Sequence, residues 1–431
     1  MSKFYCCFLI FLSSIASAQS FQKIHDKAIV VDTHNDVLSS VTMKGLNIEN
    51  DLTGKSHSDI ARFKKGGVDV QVFSIFCDER FGKDTAFKYA NIEIDSLYAI
   101  VSRNRNKMSI VTNPKELQKT VKEKKLACMM GVEGGHMIED NLGYLDSFYK
   151  RGVRYMTLTW NNSTSWATSA ADETAHPNLP VRKAINTQPL LNQNVLKERD
   201  SSKSEVSVQM ASPTGGSRKG AGLTDFGIQV VKRMNELGML VDLSHVGEQT
   251  FWDAIAVSTK PVIASHSCAY TLCPVPRNLK DDQIKAIGKN GGVIHLNFYS
   301  GFVDSNYSKN KEAFLSRHKP EVDSLKGLKW ANYEVEEWIS KKYSAEADAI
   351  RPNLSLLLDH LDYIVKLIGV DHVGLGSDFD GIESAPKPLN DVTAFPLITK
   401  ALLERGYSKT DVEKILGGNF IRVFKENQAN N

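Results

Sequence analysis

Short apolar runs rich in β-branched residues recur along this chain, and polar stretches with helical spacing lie between them. Eight runs read as strands: Ala28–Asp32, Val68–Phe76, Leu126–Val132, Val153–Thr159, Met239–Ser244, Pro261–Ser265, Gly292–Phe298 and His372–Ser377. In Asp225–Leu237 the apolar positions Phe226, Val230, Met234 and Leu237 recur at helical spacing, and Leu354–Ile368 reads as another helix. Eight strands alternating with helices predict an α/β fold, a (β/α)8 TIM-like barrel; a doubly wound open sheet is the alternative that strand counting leaves open.

Two stretches break the alternation. Residues 176–222 are polar, rich in Ser, Lys and Gln, and lack sustained periodicity, so they read as a long, partly disordered surface insertion. Residues 304–352 carry charge and a helix-like segment at Tyr333–Lys342, and are expected to cover part of the barrel mouth.

The ends of the runs carry the chemistry. His34 and Asp36 close the first, Glu133 the third, His245 the fifth and His266 the sixth, while Asp378 follows the eighth. Strand residues two apart share a face, so His34 and Asp36 converge. Taken singly each has a plainer reading: Asp36 as a helix cap, Glu133 as a turn residue, the histidines as loop or core residues. Jointly they lie on the C-terminal rim, where barrels build active sites. An open sheet would hold its outer strands too far apart for that. Imidazole and carboxylate together suit a borderline cation such as Zn²⁺. His34 and Asp36 would hold one metal, His245 and His266 a second, and Glu133 would bridge them. In such two-metal sites a shared water becomes hydroxide near neutral pH.

Composition narrows the context. The 53 basic and 50 acidic residues nearly cancel, to a net +3, and no dense basic stripe asks for nucleic acid. The first residues, MSKFYCCFLIFLSSIASAQS, have the order of a signal peptide: Lys3, an apolar stretch, and an A-x-A-like site ending at Ala18. That predicts residues 1–18 as signal peptide, 19–431 as a single barrel domain, and export to a periplasm or beyond the cell. No later stretch has the length of a transmembrane span. Four cysteines remain after cleavage, Cys77, Cys128, Cys268 and Cys273, too few for a disulfide scaffold. Of the other histidines, His25, His57, His176, His318 and His360 read as exposed or loop-borne. His136 stands close enough to Glu133 to orient a ligand.

The motifs THND at 33–36, GVEGGH at 131–136, LSH at 243–245, ASHS at 264–267, PRN at 276–278, NFY at 297–299 and GSDFDG at 376–381 resemble the membrane (renal) dipeptidase family of binuclear zinc peptidases. The resemblance implies two Zn²⁺ ions per chain on His34, Asp36, Glu133, His245 and His266, and hydrolysis of dipeptides by a metal-bridging hydroxide, C-terminal D-residues included. It also implies that Arg277 receives the substrate carboxylate, that Asp378 handles protons, that Tyr299 lines the substrate pocket, and that the chain forms a homodimer. Relatives in the mammalian branch carry a histidine after the Leu-Thr of strand four; here Trp160 stands in its place, so substrate contact is where this chain is expected to depart.

Two rival functions follow from the same residues. Other binuclear amidohydrolases, acting on lactones or cyclic amides, bridge their metals with a carboxylated lysine, but strand four offers Thr157 and Thr159. A metal-binding protein without catalysis would not need Asp378 and Arg277.

Overall fold

The computed structural model describes residues 21–176 and 222–428. Among these residues nine strands form one parallel sheet: β1 (Val31–Asn35), β2 (Val70–Ile75), β3 (Met108–Ile110), β4 (Leu126–Glu133), β5 (Val153–Thr157), β6 (Leu240–Asp242), β7 (Ile263–Ala264), β8 (Val293–Leu296) and β9 (Val373–Leu375). Eight of them follow one another round a barrel in the order β1-β2-β4-β5-β6-β7-β8-β9, while β3 pairs outside the ring with β4. Closure comes from the segment that follows β9: Asp378 N donates to His34 O (3.0 Å) and Asp36 N to Phe379 O (2.9 Å). The (β/α)8 barrel therefore stands, and the open sheet is excluded.

The lower half of the barrel is packed shut. Val31, Val70, Val72, Ala127, Met129, Tyr155, Leu240, Ile263 and Val293 form one buried cluster with Phe420 and Phe424 of the C-terminal helix Asn419–Gln428. That helix is held by Asn419 Nδ2, which donates to Val370 O (2.7 Å) and Val373 O (2.8 Å). Burying each such aromatic or aliphatic side chain contributes roughly 1.5–3 kcal/mol. Side chains alternate along each strand, so polar residues at the upper inward positions are left facing a mouth above this floor.

Helices Asp225–Leu237 and Leu354–Ile368 lie where their spacing placed them. The first is bounded by Thr224, whose side chain accepts from Gly227 N, and by Gly238 at φ 74°. Strand one starts later than expected. Ala28 N is bonded to Ile24 O (3.0 Å) in a helical turn, and the strand spans Val31–Asn35. Of the 176–222 insertion, residues 177–221 lie outside the described residues, as does the leader. The 304–352 segment folds into four helices, Tyr307–Arg317, Lys319–Gly327, Asn332–Lys342 and Ser344–Ala349, around a small core of Phe314, Val322, Leu325, Val335 and Ile339. Lys311 pins it to the loop after β9 through Glu383 (3.2 Å), and Tyr333 pins it to Asp78 (3.2 Å).

His25 and His360 are not exposed. His25 is buried between Thr399 and Gly66 O (2.7 and 2.9 Å), and His360 between Ala269 N and Val303 O (3.1 and 3.0 Å). Each imidazole has both nitrogens bonded, which is how a polar ring is tolerated on a packed helix face. The four described cysteines are free and buried. Among the described residues no helix is long and apolar enough to cross a membrane.

Candidate metal centre

Glu133 sits at the middle of the mouth with its two oxygens turned to different partners. Oε2 lies 3.3 Å from His34 Nε2; Oε1 lies 3.0 Å from His245 Nε2 and 3.5 Å from His266 Nε2. His34 Nε2 is 3.4 Å from Asp36 Oδ2, and the His245 and His266 Nε2 atoms are 2.9 Å apart. All five side chains are buried.

Local backbone features aim them. The β1–β2 register shifts between Asp32 and Asn35, an irregularity of the kind that re-aims side chains at barrel rims. His245, Asp378 and Asp380 hold left-handed φ values of 67°, 60° and 67°. Non-glycine residues there carry strain of order 1–3 kcal/mol, and such positions cluster at functional sites. Gly381 lets the loop pass close, since a Cβ there would lie 2.4 Å from Asp36 Oδ2 and 2.6 Å from Asp378 Oδ1.

The electrostatics ask for a cation. Burial drives His245 down to about 4, aided by the Arg277 charge, and holds His266 well below its ordinary value, aided by the His34 charge. Burial also acts to lower His34, but Tyr155, Glu133 and Asp36 outweigh it and hold that imidazole well above its ordinary value. Burial raises Asp36 and, helped by the charges of Asp36 and Glu133, pushes Asp378 well up. Glu133 stays well below the usual range despite burial, because the three imidazoles surround it. Among the described residues, buried His34 Nε2 and Asp36 Oδ1 have no hydrogen-bond partner. Lone pairs and carboxylate oxygens converging on one dry spot fit a borderline divalent ion.

The chain from residue 18 to 183 and from 203 to 431 matches the sequence model of membrane dipeptidases, peptidase family M19. This chain belongs to the membrane dipeptidase family. Among its relatives, an uncharacterized dipeptidase of Schizosaccharomyces pombe is 31% identical over 429 residues, covering 95% of this chain and 83% of that protein. Dipeptidase 3 of Mus musculus is 29% identical over 403 residues, 92% of this chain but 64% of its own length. Solved structures share the fold. The probable dipeptidase PvdM from Pseudomonas aeruginosa superposes with a TM-score of 0.72 at 22% identity, covering 96% of this chain and 99% of that one. A Rhodobacter sphaeroides metallopeptidase, liganded with a phosphinate mimic of the dipeptide L-Ala-D-Ala, gives 0.68 at 22%, covering 93% and 99%. Membership makes this membrane-dipeptidase chain an enzyme of the metal-dependent, peptide-bond-hydrolysing class.

Beside the cluster this family member has a cavity of about 270 Å³, whose lining includes Trp160, Arg277, Tyr299, Asp378 and, from the 304–352 segment, Tyr333 and Glu336. Arg277 donates to His266 O (3.1 Å) and Ser267 Oγ (3.3 Å), rests over the Phe302 ring, and keeps a buried Nε without a partner. Asp378 Oδ2 accepts from Asn297 Nδ2. Trp160 packs on Phe76, ring centroids 4.8 Å apart. The Tyr299 hydroxyl is already bonded to Glu383 (2.9 Å) and Lys311 (2.7 Å), so it meets the cavity with its ring. His136 bonds Cys77 O (2.9 Å) rather than a ligand side chain. The sequence reading missed the groups that touch the imidazoles from behind: Tyr155, Ser265 with Asp242, and Asn161. Strand alternation was the available signal for Tyr155, two positions from Thr157 on one face.

Proposed function

We propose that this chain is an exported dipeptidase that holds two Zn²⁺ ions on His34, Asp36, Glu133, His245 and His266. The observation that carries the reading is the division of Glu133, one oxygen toward His34 and the other toward His245 and His266, as a bridging carboxylate requires. Bound there, the metals would provide a water that ionises near neutral pH and would polarise the scissile carbonyl.

The chain's own residues do the rest. Arg277 offers the substrate carboxylate a half-buried guanidinium, a group suited to a bidentate pair. Asp378, at the edge of the cluster, accepts the proton of the attacking water and returns it to the leaving amine nitrogen. Trp160 stands over the cavity, and its indole N–H has no hydrogen-bond partner among the described residues, so it is available to the substrate carbonyl. The cavity lies just below the roughly 300–1,000 Å³ of drug-sized sites, which suits a ligand of two residues. The phosphinate complex of the Rhodobacter sphaeroides relative supports including dipeptides with a C-terminal D-residue. A carboxylated-lysine bridge is disfavoured because the inward positions of β5 are Tyr155 and Thr157, bonded to His34 and Asp242.

The test is metal analysis joined to a dipeptide panel that includes L-D pairs. Two zinc ions per chain are expected, with hydrolysis lost on chelation and restored by zinc. Full activity of the metal-free protein would end the proposal.

A further inference from the structure

Each imidazole of the cluster is gripped at Nδ1 by a different group, and in each case the grip dictates which nitrogen carries the proton. The Tyr155 hydroxyl lies 2.7 Å from His34 Nδ1 and 3.1 Å from Thr33 O. A carbonyl can only accept, so the phenol donates to Thr33 O and receives the His34 Nδ1 proton. Ser265 Oγ lies 2.8 Å from His266 Nδ1 and 2.6 Å from Asp242 Oδ2. Asp242 also accepts from Thr157 Oγ1 (2.5 Å), Ser244 N (3.1 Å) and Ser265 N (2.8 Å), the surroundings of an accepting carboxylate. The single serine proton therefore goes to Asp242, and Oγ receives His266 Nδ1–H. Asn161 Oδ1, 3.2 Å from His245 Nδ1, accepts in the same sense. All three Nε2 lone pairs are thereby turned toward Glu133.

The two stronger grips sit on opposite sides of the bridge. Tyr155 stands behind the His34–Asp36 side; its ring fills the space left by Gly131, where a Cβ would lie 2.0 Å from the phenol carbon. Ser265 and Asp242 stand behind the His245–His266 side. Resting on the two-zinc reading above, we infer that Tyr155 and the Ser265–Asp242 pair are separate positioning devices, each setting the zinc affinity of one half of the centre. Outer groups that orient metal-ligating histidines typically change affinity by 10–100-fold.

The experiment titrates the metal-free full chain with Zn²⁺ against a chromophoric chelator, for the parent, Tyr155→Phe, Ser265→Ala and the double variant. Expected are two binding steps in the parent and one step weakened about 10-fold or more by Tyr155→Phe. Ser265→Ala should weaken the other step, and the double variant both. Asp36→Asn marks the His34 side and should weaken the step that Tyr155→Phe weakens. The metal-free melting temperatures of the single variants should stay near the parent's, and Ser265→Thr, which keeps the hydroxyl, should restore the affinity. Both single variants weakening the same step, or neither weakening any, overturns the inference while leaving the two-zinc reading intact. A parent chain that binds no zinc overturns both. If Tyr155→Phe does not fold, the comparison of Ser265→Ala with Ser265→Thr decides alone, and equal affinities in that pair overturn the inference.

Discussion

Asn297 Nδ2 donates to Asp378 Oδ2 at 2.8 Å, tying the end of β8 to the segment that closes the barrel. The bond fixes one carboxylate oxygen and leaves the carboxyl beside Asp36 and His34. Burial and the neighbouring carboxylates raise its carboxyl well above the ordinary value, which makes its carboxylate a stronger base for the proton transfer proposed above. Asp378→Asn is expected to lower kcat by roughly 10²–10⁴-fold with zinc content unchanged, since proton transfer contributes about that much. Steady-state rates beside metal analysis check it, and a parent-like rate removes the proton role.

Arg277 presents a buried Nε with no hydrogen-bond partner among the described residues. A carboxylate arriving there relieves an unsatisfied donor, so the loss on removal falls on substrate binding. Arg277→Met should raise KM roughly 10–150-fold, in line with roughly 1.5–3 kcal/mol for a charged hydrogen bond. The effect should vanish on a substrate amidated at its C-terminus. An equal loss on the amide would assign Arg277 to scaffolding.

Trp160→Phe keeps a ring against Phe76 and deletes only the N–H. If that donor meets the developing oxyanion, kcat falls at nearly constant KM; a fall of about 10-fold is expected, milder than the 10²–10³ measured for removing a dedicated oxyanion donor because metals share the charge. Trp160→His restores a donor and should recover rate. Unchanged kcat in Trp160→Phe would leave Trp160 as wall alone.

Asp69, far from the mouth, gives a pH dependence with a definite sign. Burial raises its carboxyl to about 6 although Val30 N donates to it. Between the unfolded value near 3.8 and 6 the folded chain holds the extra proton. Its contribution is therefore fully present at low pH and is lost as pH rises through that window, by at most about 3 kcal/mol. Asp69→Asn should melt a few degrees higher than the parent at pH 7, with the gap shrinking toward pH 4. A gap that widens on acidification refutes the assignment.

The sequence disclosed the rim and hid what stands behind it. His34, Glu133, His245 and His266 each end an apolar run, so strand periodicity alone set them on one face. Helix Asp225–Leu237 was legible because Phe226, Val230, Met234 and Leu237 recur at helical spacing. Met108–Ile110 was not, being three residues long and outside the barrel ring. Tyr155 meets His34 across 121 positions, and Asp242 meets Ser265 across 23, contacts that no local pattern announces. His25 and His360 were misjudged because polarity says nothing about a partner waiting in the core.

The floor formed by Phe420, Phe424 and the lower strand residues has a kinetic consequence. With that end shut, nothing passes through the barrel: the cavity is approached and left from the mouth side. On the dipeptidase reading, both product amino acids would then leave on the side by which the substrate came. Product amino acids should therefore compete with incoming substrate for the same approach.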